Sequence, residues 1–181
     1  MSYSNNWLID KYAAGETLTY TYFWGHQPAK DGSITKSCFS QWWLSPFEVN
    51  GVVYNTAEHW MMCKKAELFD DNIIAAQIVA ASNPKEVKQL GRQIKGFDAA
   101  AWDAVKFEIV VSGNLHKFSQ NEALKKFLLS TGNSILVEAS PVDAIWGIGM
   151  AEDDKNIINP EQWKGENLLG YALMQVRDRL Q

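Results

Sequence analysis

The spacing of apolar positions changes near residue 55: before it they come in short runs between turn formers, and after it they recur at helical spacing. Thr19 to Trp24 reads Thr-Tyr-Thr-Tyr-Phe-Trp, dense in β-formers, and predicts a strand. Residues 25–37 carry Gly25, Pro28, Asp31, Gly32 and Ser33 and predict a loop, followed by a short extended segment over 38–44. Between Phe47 and Tyr54, two apolar runs flank Asn50-Gly51, a dipeptide that tolerates positive φ at both turn positions, so a hairpin is expected. Helices are expected over 56–69, over 70–81, and over 84–93 with Pro84 at the first helical position. Asp98 suits the cap of the longest helix, running to about residue 118. Another helix over 121–130 stops at Thr131-Gly132, and a last one covers 166–180. Ile135 to Ala139 predicts a strand, and 141–160 is mostly loop. Residues 1–18 show no steady period and read as an N-terminal arm, loose or as a short helix. Residues 19–181 read as one compact domain, α+β and predominantly helical, with a few short strands near the N-terminal half.

Composition narrows the class. With 181 residues, 46% of them hydrophobic and 12% aromatic, the chain can bury a sizeable core and is not disordered. The net charge of −4 argues against a stable nucleic-acid complex held through phosphates. Charge is uneven, however: residues 85–126 hold eight Lys/Arg against five Asp/Glu, an excess that suits a small phosphate better than a long duplex. The bland alternative is a solvated helix face made by Lys85, Lys88, Arg92 and Lys95. Only Cys38 and Cys63 are present, without a CxxC pair, a signal peptide or a membrane-length apolar run, which points to free thiols and a cytoplasmic location. His59 and Cys63 stand one helical turn apart but lack the further ligands of a zinc site, so no metal is expected.

Thr56 to Lys65, Thr-Ala-Glu-His-Trp-Met-Met-Cys-Lys-Lys, carries the densest chemistry. Thr56 is a good N-cap, Glu58 falls in the first turn, and Lys65 follows on the same face, beside Trp60 and the methionines. This set suits a charged, planar ligand; the competing view is that Glu58 complements the helix dipole and Lys65 is solvated. On the long middle helix, Trp102, Lys106, Gly113 and Lys117 project within about 60° of one another. Gly113 costs that helix roughly 1 kcal/mol against Ala, so something must approach its backbone, either a ligand phosphate or a crossing helix.

In order, Phe39-Ser40, Thr56-x-Glu58-His59-Trp60, Lys65, Gly91-Arg92, Trp102-x-x-x-Lys106 and Lys117-Phe118 form the first half of a recognisable series. Leu136-Val137-Glu138, Asp143-x-x-Trp146-Gly147-x-Gly149 and Asn167-x-x-Gly170-x-x-x-Met174-x-x-Arg177 continue it. Over nearly all of residues 20–180 the chain resembles the NADAR family, also called YbiA-like. That resemblance implies cleavage of an N-glycosidic bond to ribose without an organic cofactor. Substrates implied are phosphorylated ribosylaminopyrimidine intermediates of riboflavin biosynthesis or, alternatively, ADP-ribosyl-guanine in DNA. A module that binds ADP-ribose or a nucleotide without cleaving it is the non-enzymatic alternative. The chain departs from the family pattern at Gln41-Trp42, where Asn-Phe is common, at Met62 and Lys64, and at Asn114 and His116.

Breaking a C1′–N bond builds positive charge on the sugar and negative charge on the departing base. Candidate carboxylates are Glu58, Asp143 and Glu138, with Glu58 and Asp143 assigned to the sugar side and Glu138 in support. For Glu138 the competing role is an anchor for the Ser140-Pro141 turn, and for Asp143 an Asx-turn. Trp146 and Trp102 are candidates to stack on the base, and Lys65, Lys106 and Lys117 to meet phosphate. Gly147 and Ser40 are counted on the substrate side, together with His59, which orients Glu58 or packs in the core on the other view. Asn167 and Arg177 read as structural, closing the last helix onto the body.

Overall fold

The helices after residue 55 form where the spacing predicts them, and side chains cap the first turns of four of them. The computed structural model describes residues 3–181; residues 1 and 2 of the expected arm lie outside the described residues. In chain order the elements are α1 (Asn5–Ala13), β1 (Tyr20–Phe23), β2 (Phe47–Val49), β3 (Val52–Tyr54), α2 (Ala57–Leu68) and α3 (Asn72–Ala80). They continue with α4 (Pro84–Gly91), α5 (Ala99–Ser119), α6 (Glu122–Ser130), β4 (Ile135–Glu138) and α7 (Leu168–Leu180). Thr56, Asp71, Asn83 and Asp98 each accept a backbone N–H of the first turn of α2, α3, α4 and α5. The architecture is α+β and predominantly helical. By contacts the chain divides into two units, residues 1–40 with 123–181, and residues 41–122.

In the unit formed by both ends of the chain, β1 and β4 pair in parallel, Tyr20 opposite Ile135 and Phe23 opposite Glu138. A two-stranded sheet leaves β4 with an open edge, and a side chain fills it. Asn167 Oδ1 accepts the Glu138 N–H at 3.0 Å, while Asn167 Nδ2 donates to the Leu136 carbonyl at 2.9 Å, as a third strand would. Helix α7 lies on β4 so closely that a Cβ on Gly170 would strike the Leu136 carbonyl. Further along α7, Arg177 donates through Nη1 to Thr131 Oγ1 and the Ser134 carbonyl, both at 2.8 Å. Part of the expected arm is helical: Ser4 caps α1, and Leu8 is fully buried.

In the other unit, Asn50-Gly51 closes the β2–β3 hairpin with φ of 53° and 79°. Helix α2 is the hub, packed against α3, α4 and α5. Its Trp60 indole covers Gly113 of α5 and donates to the Ile109 carbonyl at 2.9 Å. The approach at Gly113 is therefore the helix crossing rather than a phosphate. The extended segment expected over 38–44 does not form. Lys36–Phe39 is a 3-10 turn with the local bonds Cys38 N–H to Thr35 carbonyl and Ser40 N–H to Ser37 carbonyl, so these amides are bonded within the turn rather than to a strand partner.

Candidate functional site

Glu58 lies in the first turn of α2, at the positive end of the helix dipole, with only 4% of its surface exposed. Its backbone N–H donates to the Gln41 carbonyl at 2.9 Å. The spacing that placed Lys65 two turns along has a physical echo: the Glu58 charge supports the Lys65 ammonium. Burial acts more strongly in the opposite sense and holds the lysine below its ordinary pKa. Lys65 Nζ donates to the Gly91 carbonyl at 3.3 Å and stands 4.3 Å from the Phe97 ring centroid and 5.7 Å from that of Trp102. Lys65 and Trp102 are thus brought together, with Phe97 as a third member. Phe97 carries no spacing signal, being a lone aromatic in the turn after Gly96.

The remaining predicted residues of this unit sit differently. His59 is fully buried; its Nδ1 accepts from Thr56 Oγ1 at 2.8 Å and its Nε2–H donates to the Ala81 carbonyl at 3.2 Å, which fixes a neutral tautomer. Both nitrogens are thus committed to the protein, and His59 ties the start of α2 to the end of α3. Desolvation lowers its pKa. Burial likewise pushes the Cys63 thiol up to about 11, which makes it a poor nucleophile or metal ligand. Lys106 pairs with Asp103 across one turn at 2.7 Å. Lys117 has no exposed surface at all, so in this conformation it is a core lysine. The departures from the family pattern also separate: His116 packs among Phe47 and Trp60, whereas Asn114 donates to Gln41 Oε1 at 2.7 Å. That Asn114–Gln41 pair carries no role in the sequence reading, although both residues stand out there.

The unit holding both termini gathers Glu138, Asp143, Trp146 and Gly147 in one loop system, with Ser40 ending the 3-10 turn. Asp143 Oδ1 accepts the N–H groups of Ile145 and Trp146 at 2.9 and 2.8 Å. This is the Asx-turn, and it engages one of the two carboxylate oxygens. The Glu138 carbonyl accepts the Ile148 N–H at 3.0 Å, so the loop is bound back onto β4. A Cβ at Gly147 would lie 2.8 Å from the Glu138 carbonyl oxygen and 3.0 Å from that of Asp143. The chain approaches itself there, and that contact accounts for the glycine. Asp143 and Trp146 remain partly exposed on this rigid loop.

Among the described residues no helix is long and apolar enough to cross a membrane. None of their His, Cys, Asp and Glu side chains gather in a group of three or more placed to hold a metal ion.

A family model described as the NADAR domain matches residues 22–181. N-glycosidase R617 of Acanthamoeba polyphaga mimivirus is 42% identical over 171 residues, covering 92% of this chain and 99% of that protein. N-glycosidase YbiA of Escherichia coli K12 is 31% identical over 144 residues, covering 80% and 79% respectively. The NMR structure of E. coli YbiA superposes with a TM-score of 0.71 at 28% identity, covering 90% of this chain and 84% of that one.

Proposed function

The chain belongs to the NADAR family and is an N-glycosidase, a hydrolase of N-glycosyl bonds, and from that premise we propose that it cleaves the C1′–N bond of a ribosylated base. Phosphorylated ribosylaminopyrimidine intermediates of riboflavin biosynthesis are the substrates we assign first. One observation carries the reading: Glu58 is a nearly buried carboxylate held at a helix N-terminus, two turns before a partly buried lysine flanked by aromatic rings.

Cleavage makes the ribose ring oxocarbenium-like, and a fixed carboxylate beneath it offsets the growing charge. Glu58 is assigned that role. In a site shielded from water the attraction is worth more than in solvent, because the low dielectric screens it less. Lys65, held by the Gly91 carbonyl, is assigned to the substrate phosphate, and Trp102 to the base. Asp143, with Glu138 in support, is the second acid of the proposal, and its assignment rests on its own substitution. Ser40, Trp146, Gly147 and Lys106 are assigned to the substrate side, whereas Lys117, enclosed in the core, is left out of it.

The test is a chromatographic screen for released base, offering ribosylaminopyrimidine phosphates and ADP-ribosyl-guanine side by side. Release from the first is expected. Release from the second alone would move the assignment to ADP-ribosyl hydrolysis. Ligand-dependent thermal stabilisation with no base released would leave a binding module and refute the substrate proposal. Glu58→Gln is expected to lower kcat by about 10²–10⁴-fold. Asp143→Asn is the cleaner probe of the second acid, since the new amide oxygen still accepts both loop N–H groups. Full activity in either variant removes that residue from the reaction.

A further inference from the structure

Gln41 and Asn114 form a buried amide pair that the proposed reaction leaves unused. Asn114 has no exposed surface and Gln41 keeps 8%. Asn114 Nδ2 donates to Gln41 Oε1 at 2.7 Å and to the Val110 carbonyl at 2.9 Å. The second bond fixes which end of the Asn114 amide is nitrogen, since a carbonyl can only accept. Gln41 in turn presents its own main-chain carbonyl to the Glu58 N–H at 2.9 Å. A continuous set of bonds therefore runs from α5, through Gln41, to the second residue of α2.

Two atoms of this pair, Gln41 Nε2 and Asn114 Oδ1, are buried without a hydrogen-bond partner among the described residues. Buried polar atoms left unmade cost stability, and an apolar pair of similar shape would avoid that cost. Stability alone does not explain why amides occupy these positions.

We propose that Asn114 is a positioning residue for N-glycosidase activity: by holding Gln41 it fixes the carbonyl that receives the Glu58 amide, and hence the placement of the Glu58 carboxylate. The proposal rests on the assignment of Glu58 to catalysis. Amides in the first turn of a helix have no partner within the helix, so an outside acceptor decides how firmly that turn is held. His59 N–H is held by Thr56 Oγ1, and Trp60 is anchored on α5, while the Glu58 N–H goes to Gln41. Reaction geometry tolerates little play: a shift of about 1 Å in a catalytic group costs on the order of 10²-fold in rate.

The experiment is a double-mutant cycle on base release by the full chain, with kcat and KM measured separately. Asn114→Leu is expected to lower kcat by about 10–100-fold and to change KM by less than about threefold. In the Glu58→Gln background the same substitution is expected to change the residual rate by less than about threefold, because the group it positions is gone. The paired variant Gln41→Leu with Asn114→Leu strands no amide; it is expected to melt no lower than the wild type while its kcat stays low. That pair supplies the measurement if Asn114→Leu alone fails to fold. A kcat within twofold of wild type in the folded variant overturns the proposal, as does an equal loss in both backgrounds. In those cases a large Glu58→Gln effect leaves the functional assignment standing. Full activity of Glu58→Gln overturns both.

Discussion

His59 shows how far a residue's surroundings can depart from what its sequence neighbours suggest. Beside a candidate catalytic glutamate it reads as a functional imidazole. The fold instead closes a bond on each ring nitrogen and removes the ring from water. Because folding lowers its pKa, chiefly by desolvation, the unfolded chain takes up the proton more readily than the native one. The His59 contribution is therefore complete above the unfolded value of about 6.5 and is lost as pH falls below it. The slope of stability against pH between about pH 5 and 6.5 is expected to flatten in His59→Gln, measured by urea unfolding. An unchanged slope would mean that another group governs acid sensitivity. Lys65 is the opposite case: its helical spacing from Glu58 was readable, and in the folded chain the Glu58 charge still favours the Lys65 ammonium.

At the scale of elements, the crossing of α2 and α5 hinges on Gly113. Helical periodicity found the glycine and placed it on a face with Trp102, Lys106 and Lys117, but periodicity cannot say what meets that face. Trp60 does, with its Cγ 2.9 Å from where a Cβ would stand. Gly113→Ala gains helix propensity, worth about 1 kcal/mol, yet forces the indole off a rigid site. Overpacking of this kind costs about 1–3 kcal/mol, so a net loss is expected in denaturant unfolding. Combining it with Trp60→Leu, which vacates the space, should recover part of the Gly113→Ala effect, although Trp60→Leu brings its own cavity cost. Strict additivity of the two substitutions would refute direct contact.

At the scale of the whole molecule, the unit built from both chain ends depends on contacts that span most of the sequence. Strand β1 meets β4 with Thr21 opposite Leu136. Asn167, itself left-handed at φ 53°, closes the far edge of that sheet. Asn167→Ala would strand the Glu138 N–H and the Leu136 carbonyl and replace Asn, which tolerates the left-handed region, by a residue that does not. The expected destabilisation is about 3–5 kcal/mol by urea unfolding. Asn167→Gly loses the same bonds without the backbone strain and should be milder by about 1 kcal/mol. Equal losses in the two variants would mean that the left-handed backbone contributes nothing.

Patterning by itself determined the helices, because caps such as Thr56 and Asp98 and the 3.6-residue period are local properties of the chain. The Asn50-Gly51 hairpin was legible for the same reason. The ordered motifs from Phe39 to Arg177 also identified the family. Tertiary structure alone decided which polar groups are spent on the fold: His59 and Asn167 entirely, and Asp143 through one oxygen. It also decided that residues 38–44 form no strand, that Lys117 is core, and that Asn114 and Gln41 meet across 73 positions of sequence. The physical reason is common to all of these. Burial and hydrogen-bond partnership are set by residues distant in sequence, and no local pattern records which of them will arrive.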